Sequence, residues 1–270
     1  MGRELETGTE DVRATVQDDG VGRIVLNRPD RRNALSDPML DGLAAALDDF
    51  EGADDVRVVV LTGAGGAFCA GGDVKEFAAG GGEGGGAERV DPERLARQRR
   101  IQRATTGRIY EFAKPVVGVL PGAAAGAGLG LALACDLRIG SSRTVIVTAF
   151  ASVALSGDFG VAWLLQRLVG PARARELMFL SERLDATRCR ELGLVNVVVQ
   201  PDELEQASAT LARRLADGPP QALQGMKRNL LTASGVDLGE SMDAEAESHL
   251  ACGVSADHRA AVRAFVAKRG

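Results

Sequence analysis

Two kinds of hydrophobic pattern alternate over the first 200 residues of the chain. Short apolar runs are typical of buried strands, and spacings of three and four residues between apolar positions are typical of helices. The turn Asp19-Gly20 joins the first two runs as a predicted β-hairpin. The predicted strands are Val12–Val16, Gly22–Leu26, Val56–Leu61, Val116–Leu120, Asp136–Ile139, Val145–Phe150 and Val195–Val199.

The predicted helices between these strands begin at recognisable signals. Ser36 and Asp37 can cap the first one, and Pro38 follows them at a position where proline is tolerated. Further helices are predicted to begin near Val74, over Pro92–Phe112, in the apolar stretch after Gly128, over 163–169, over 171–181 and over 185–192. After residue 202 only helices are predicted, over about 203–216, 219–232, 240–251 and 256–268.

This order predicts an α/β core followed by an α-helical region. We predict a flexible tail over residues 1–10, the α/β core over 11–201 and the helical region over 202–270. The helical region has apolar stripes but little of its own to pack against. We therefore expect it to dock on the core or on a neighbouring subunit.

Composition narrows the class of protein. Of the 270 residues, 26% are charged and 45% are apolar, with a net charge of −5, as in an ordinary globular protein. An arginine cluster at 94–103 is interpreted as a solvated helix face, and only 4% of residues are aromatic, so we expect no nucleic-acid binding. There is no signal-peptide pattern and no apolar run of membrane-spanning length, so a cytoplasmic protein without membrane contact is expected. The four scattered cysteines are expected to be free thiols.

Two glycine-rich turns, each leading into a helix, are the candidate chemistry. They are Ala70-Gly71-Gly72-Asp73 and Gly126-Ala127-Gly128. If the fold brings them together, two backbone N–H groups could converge as an oxyanion hole. The alternative, that both are close helix–sheet contacts, stays open on spacing alone. A dinucleotide site is disfavoured because Leu131 occupies the third glycine position. The segment 79–87 is low in complexity and is interpreted as flexible. A phosphate loop is disfavoured there because no Gly-Lys-Ser/Thr follows.

Four motifs, in order, resemble the enoyl-CoA hydratase/isomerase (crotonase) superfamily. They are Asn27-Arg28-Pro29 with Asn33-Ala34-Leu35, then Phe68-x-Ala70-Gly71-Gly72-Asp73, then Gly122 to Cys135-Asp136, and Ala186 to Val195. The resemblance runs from about residue 12 to residue 270. It implies a spiral of ββα units, a helical trimerisation region, a homotrimer or dimer of trimers, and acyl-CoA thioester substrates.

The resemblance also implies site residues. The N–H groups of Gly72 and Ala127 would form an oxyanion hole for a thioester enolate. Coenzyme A would be bound, as part of the substrate, by residues around the first turn: Arg31, Arg32, Ala34, Gly72, Asp73, Val74, Lys75 and Ala127. No metal and no separate cofactor is expected.

The chain departs from the hydratases at their two glutamates. Aligning the motifs places Gly130 at the first position and Phe150 at the second, and neither can carry a proton. Asp158 falls where isomerase branches of the superfamily have a catalytic aspartate. Its apolar, glycine-rich surroundings would raise its pKa towards the range of a general base. Asp158 could instead cap the following helix.

Asp158 is then the one candidate acid/base group. A single group suits a proton shuttle better than hydration, which ordinarily uses two carboxylates. The sequence therefore predicts isomerisation of a double bond in an enoyl-CoA or dienoyl-CoA. Addition of water to a 2-enoyl-CoA is the alternative, and a non-catalytic acyl-CoA-binding protein is the alternative of another class. His249 and His258 are interpreted as surface residues of the helical region.

Overall fold

A computed structural model describes residues 2–83, 85–87 and 89–267. The strands are β1 (Arg3–Leu5), β2 (Val12–Val16), β3 (Val21–Leu26), β4 (Val58–Gly63), β5 (Val116–Leu120), β6 (Ala123–Ala125), β7 (Leu137–Ser141), β8 (Val145–Val147) and β9 (Val197–Val199). The helices are α1 (Asp37–Gly52), α2 (Val74–Ala79), α3 (Pro92–Gln102), α4 (Arg108–Glu111), α5 (Gly126–Ala134), α6 (Val161–Leu180), α7 (Ala186–Glu191), α8 (Leu204–Ala216), α9 (Pro220–Ala233), α10 (Leu238–Gly253) and α11 (Ala256–Ala267). The prediction that residues 79–87 are flexible includes Gly84, which lies outside the described residues.

Seven strands form the main sheet, in the order β1-β2-β3-β4-β5-β7-β9. The pairs β1/β2 and β2/β3 are antiparallel, and the remaining pairs are parallel. β6 and β8 pair in parallel as a second, short sheet. This arrangement confirms the prediction of an α/β fold in which strands and helices alternate.

The prediction of a flexible tail is wrong for Arg3–Leu5. These residues pair with β2 along the edge of the sheet. Arg3 also donates hydrogen bonds to Asp49 at 2.8 Å and to Asp55 at 3.0 Å. A polar edge strand held by ion pairs carries no apolar signal, so the hydrophobic pattern could not predict it.

Helix α5 lies at the centre of the fold. All of its residues are buried, and its N-terminus follows β6 directly. Its alanines and glycines allow neighbouring backbone to approach closely. The predicted 92–112 helix is divided by a π-helical segment at Arg103–Gly107 into α3 and α4. The predicted helices 163–169 and 171–181 form α6, which has a break at Gly170.

The first helix of the C-terminal region packs on the main sheet. Leu204, Ala212 and Ala216 of α8 belong to one apolar cluster with residues of β3, β4, β5 and β7. α9 is attached by Lys227, whose Nζ is 2.7 Å from Asp136 Oδ2. Docking of this region on the core is thus confirmed for α8 and α9. None of the described helices is long and apolar enough to cross a membrane.

Candidate active site

The two glycine turns lie against each other. The N–H of Cys69 donates to Ala123 O at 3.1 Å, and the N–H of Ala125 donates to Cys69 O at 2.9 Å. A Cβ on Gly71, whose φ is +82°, would lie 3.3 Å from the nitrogen of Ala127. The close approach of the turns, which the sequence left open, is therefore present.

The N–H groups of Gly72 and Ala127 come from these two turns. Among the described loops and turns, no backbone hydrogen bond has the Gly72 N–H as its donor. Ala127 is the second residue of α5, in the first turn, where N–H groups lack a partner within the helix. The helix dipole adds partial positive charge there. An oxyanion could accept two hydrogen bonds at this place.

The loop after β3 lies beside the first glycine turn. Arg32 O accepts a hydrogen bond from the Ala70 N–H at 3.0 Å, and the Leu35 N–H donates to Gly71 O at 2.8 Å. Buried Asn33 holds this loop, because its Nδ2 donates to Ala64 O and Ala67 O, both at 2.9 Å. Asn33 belongs to the motif found in the sequence, which did not reveal this anchoring role.

The residues predicted to bind coenzyme A divide into two groups. Arg31, Val74 and Lys75 are exposed around the first turn, and Ala34 is buried. Asp73 is also buried, and its Oδ1 accepts from the N–H groups of Lys75 and Glu76 as the cap of α2. Asp73 Oδ2 lies 3.8 Å from Arg31 Nη1. Its carboxylate thus serves the local structure, which sequence reasoning missed.

Asp158 is half-buried, and each of its carboxylate oxygens accepts a hydrogen bond from α3. Its Oδ2 accepts a hydrogen bond from Gln98 Nε2 at 2.6 Å, and its Oδ1 accepts one from Gln102 Nε2 at 2.5 Å. The N–H of Phe159 also donates to Oδ1, at 2.9 Å. The sequence analysis missed both glutamines. Their spacing of four residues within an arginine-rich helix was the available signal, and it did not indicate their partner.

The interpretation of Asp158 as a helix cap is wrong. Gly160 is the N-cap of α6, and no side chain accepts a hydrogen bond there. Only the backbone carbonyl of Asp158 contributes, by accepting from the Val161 N–H at 3.1 Å. The carboxylate is therefore available for another role.

The loop that carries Asp158 contacts α5 at Gly130. A Cβ on Gly130 would lie 2.3 Å from Phe159 O, so backbone fills the place of the first predicted hydratase glutamate. Ala127 and Gly130 are three residues apart on α5 and share a face of the helix. Asp158 is thus carried to the helix that presents the Ala127 N–H. Phe150, at the second predicted glutamate position, is buried.

Burial raises the pKa of Asp158 above its ordinary value. The negative charge of Glu83 adds to this effect, whereas the hydrogen bonds from Phe159, Gln98 and Gln102 oppose it by stabilising the carboxylate. Glu83 belongs to the glycine-rich segment and is half-buried. A raised pKa makes a carboxylate a stronger base, which suits a group that accepts a proton and returns it.

Other titratable groups fit structural roles. Burial raises the pKa of Cys69, Cys135 and Cys189 to about 12, so these thiols stay protonated. The four cysteines are free, as predicted. His249 and His258 are exposed, which confirms their interpretation as surface residues. Within the described residues, no group of His, Cys, Asp and Glu side chains could hold a metal ion.

Comparison with known proteins identifies the family. The model of the enoyl-CoA hydratase/isomerase family matches residues 16–270. The chain is 36% identical to the 1,2-epoxyphenylacetyl-CoA isomerase of Escherichia coli, over 93% of each protein. It is 30% identical to the trans-2-decenoyl-[acyl-carrier-protein] isomerase of Streptococcus mutans, over 93% of this chain and 94% of that protein.

Solved structures agree with this assignment. An enoyl-CoA hydratase from Polaromonas sp. JS666 has a TM-score of 0.87 at 32% identity, over 95% of this chain and 97% of that one. An enoyl-CoA hydratase from Bacillus anthracis has a TM-score of 0.87 at 29% identity, over 96% of each chain. The predicted crotonase-like fold is confirmed. Fold, motifs and comparisons together show that this chain belongs to the enoyl-CoA hydratase/isomerase family.

Proposed function

We propose that the protein isomerises a double bond in an unsaturated acyl-CoA, with Asp158 as the proton carrier. The observation that carries the proposal is the half-buried Asp158 carboxylate on a loop packed against α5. The second support is the lack of a carboxylate at Gly130 and Phe150, because hydration ordinarily divides its proton transfers between two such groups. The isomerases named above are consistent with this choice.

The proposed reaction moves one proton between two carbons of the acyl chain. Asp158 accepts a proton from one carbon, and the electrons of that C–H bond shift the double bond and place negative charge on the thioester oxygen. The N–H groups of Gly72 and Ala127 stabilise this enolate, each by roughly 3–4 kcal/mol. Protonated Asp158 then returns the proton to another carbon, and the thioester carbonyl forms again.

We propose that coenzyme A binds along the first glycine turn. Arg31, Arg32 and Lys75 are exposed there and carry positive charge suited to its phosphate groups. Val74 is 54% exposed beside them and offers apolar contact. Ala34 and Asp73 are buried, so we propose that they support this surface through the backbone and the α2 cap.

Proton exchange tests the function. In deuterated water the enzyme should exchange α- or γ-hydrogens of an enoyl-CoA, as followed by mass spectrometry. Asp158→Asn should abolish this exchange and leave the affinity for the acyl-CoA within about threefold, since the oxyanion donors remain. Asp185→Asn is a matched control, because asparagine caps a helix as well as the aspartate that caps α7. Exchange that persists in Asp158→Asn contradicts the proposal.

Hydration is the second candidate, and Glu83 favours it. The negative charge of Glu83 raises the pKa of Asp158, so a second carboxylate lies in the neighbourhood of the proposed base, and hydration ordinarily uses two carboxylates. Incubation with crotonyl-CoA separates the candidates, because water addition removes the absorbance of the conjugated thioester. Binding of acyl-CoA thioesters without either reaction would favour a non-catalytic acyl-CoA-binding protein.

A cytoplasmic location stays a prediction from the sequence.

We also propose a homotrimer or a dimer of trimers. The C-terminal helices expose large apolar side chains that nothing in the described chain covers, among them Leu230 (74%), Leu238 (77%) and Leu250 (69%). Exposed apolar surface of this kind on consecutive helices indicates contact with another protein. Further copies of this chain are the partners that the family resemblance implies.

A further inference from the structure

Two glutamine side-chain amides donate hydrogen bonds to the two carboxylate oxygens of Asp158. Gln98 and Gln102 lie four residues apart on α3, so their side chains share one face of the helix. One amide reaches Oδ2 at 2.6 Å and the other reaches Oδ1 at 2.5 Å. The proposed reaction has not yet used either residue.

We propose that Gln98 and Gln102 are positioning residues that hold Asp158 and leave one acceptor position of Oδ2 for the proton of the substrate. This inference rests on the proposed function. An ionised carboxylate has about four acceptor positions, two on each oxygen. Gln102 and the Phe159 N–H occupy those of Oδ1, and Gln98 occupies one of those of Oδ2. Oδ2 is then the oxygen that accepts the proton.

Glutamine suits both protonation states of Asp158. Its amide NH₂ donates to the carboxylate, and after rotation its Oε1 accepts from the protonated acid. A lysine would fix the anion, and an apolar side chain would leave the carboxylate without these donors. The two amides can therefore hydrogen-bond to Asp158 both before it takes up the proton and after.

The helix that carries the glutamines is fixed against the same loop. Directly after Gln102, the π-helical segment places a methyl of Thr106 3.8 Å from where a Cβ of Gly160 would lie. Tyr110 of α4 contacts Trp163 of α6 edge to face at 4.9 Å between ring centroids. Glu83 is the charged group whose repulsion reaches Asp158 from the glycine-rich segment. The helical run that carries Gln98 and Gln102 is thus attached at its C-terminal end to the Asp158 loop and to α6.

Replacement by methionine, which has a similar length and no amide, tests the inference. Gln98→Met and Gln102→Met should each lower kcat for isomerisation about tenfold or more, with KM within about threefold. The acidic midpoint of the pH–rate profile should rise, because the lost donors no longer stabilise the carboxylate. Gln102→Glu should raise it further by adding a negative charge. Gln166→Met, at an exposed site of α6, is the matched control and should change none of these values.

Carbon NMR of the Asp158 carboxyl group gives a readout apart from activity. Its titration midpoint, assigned by the loss of the signal in Asp158→Asn, should rise in Gln98→Met and Gln102→Met. A normal midpoint and normal kcat in both variants overturn the role of the glutamines, while Asp158→Asn still tests the function alone. If the midpoint rises in the glutamine variants but proton exchange persists in Asp158→Asn, the glutamines position Asp158 and the proposed reaction is contradicted. If a methionine variant fails to fold, Gln102→Glu, which conserves side-chain size, tests the inference by the same titration midpoint.

Discussion

Asp158 has a cost for folding that follows from its surroundings. Burial and Glu83 raise its pKa in the native state, so the native protein holds a proton that the unfolded chain has already lost. Where the native state binds more protons than the unfolded state, the free energy of unfolding falls as pH rises. The contribution of Asp158 is therefore greatest below the ordinary pKa of aspartate, and it is lost as pH rises through the raised native value.

A comparison of Asp158→Asn with the wild-type protein should reveal this effect as a difference in melting temperature that depends on pH. Asparagine cannot ionise, so the variant avoids the loss that the wild-type protein suffers at higher pH. We expect the difference in Tm, variant minus wild type, to be larger at pH 8 than at pH 4, measured by differential scanning fluorimetry. Asp185→Asn provides the comparison at an exposed helix cap. A difference that shrinks as pH rises would contradict the raised pKa.

The sequence predicted Asp158 but could not predict what holds it. Asp158 lies in a local motif, so the family resemblance marks its position. Gln98 and Gln102 reach it across 60 and 56 positions of the chain. A hydrogen bond over such a separation depends on where α3 lies, and hydrophobic pattern fixes only which residues of α3 are helical. Buried Asn33 follows the same rule, since its Nδ2 donates to backbone carbonyl groups 31 and 34 positions away.

The elements of the core were easier to predict than their ends. Apolar runs marked the strands of the main sheet from β2 to β9, and Ser36 caps α1 as expected by accepting from the Met39 N–H at 3.2 Å. The strand predicted over Val145–Phe150 ends at Val147. Beyond it, Thr148 Oγ1 donates to Leu177 O at 2.8 Å, and Ala149 has a φ of +63°. These tertiary constraints end the strand although its sequence remains apolar.

Helix α5 has Gly130 at the position where aligning the motifs places the first glutamate of the hydratases. At Gly130 a Cβ would meet Phe159 O at 2.3 Å and Phe159 Cβ at 2.8 Å. The Phe159 backbone has a φ of +47° and is held by the hydrogen bond of its N–H to Asp158. It therefore has little freedom to move away.

Gly130→Ala should lower the free energy of unfolding by about 3 kcal/mol, because the added methyl overpacks the contact between α5 and the Asp158 loop. Urea unfolding followed by the fluorescence of Trp163, the only tryptophan of the chain, measures the change. Gly253→Ala is the control, since nothing lies within 4 Å of the added methyl and alanine favours the helix by up to about 1 kcal/mol. Equal stability of Gly130→Ala and wild type would contradict this close packing.

At the scale of the whole molecule, the core and the C-terminal helices differ in how they bury apolar surface. α8 covers one face of the main sheet, and Lys227 attaches α9 to Asp136 beside β5 and β7. The hairpin of α9 and α10 leaves Leu230, Leu238 and Leu250 exposed. The sequence predicted that this region docks on the core or on another subunit, and the structure shows the first of these contacts.

We predict that the exposed leucines form the contact with another subunit. Burying one leucine stabilises an interface by about 1.5–3 kcal/mol, and an aspartate at the same place adds the cost of removing its charge from water. Leu230→Asp combined with Leu250→Asp should therefore convert the assembly to chains of 28.2 kDa, as measured by size-exclusion chromatography with light scattering. Val90→Asp is the control, because Val90 is equally exposed (77%) and lies outside the C-terminal helices. An assembly of unchanged mass in the double variant would show that these leucines do not form the subunit interface.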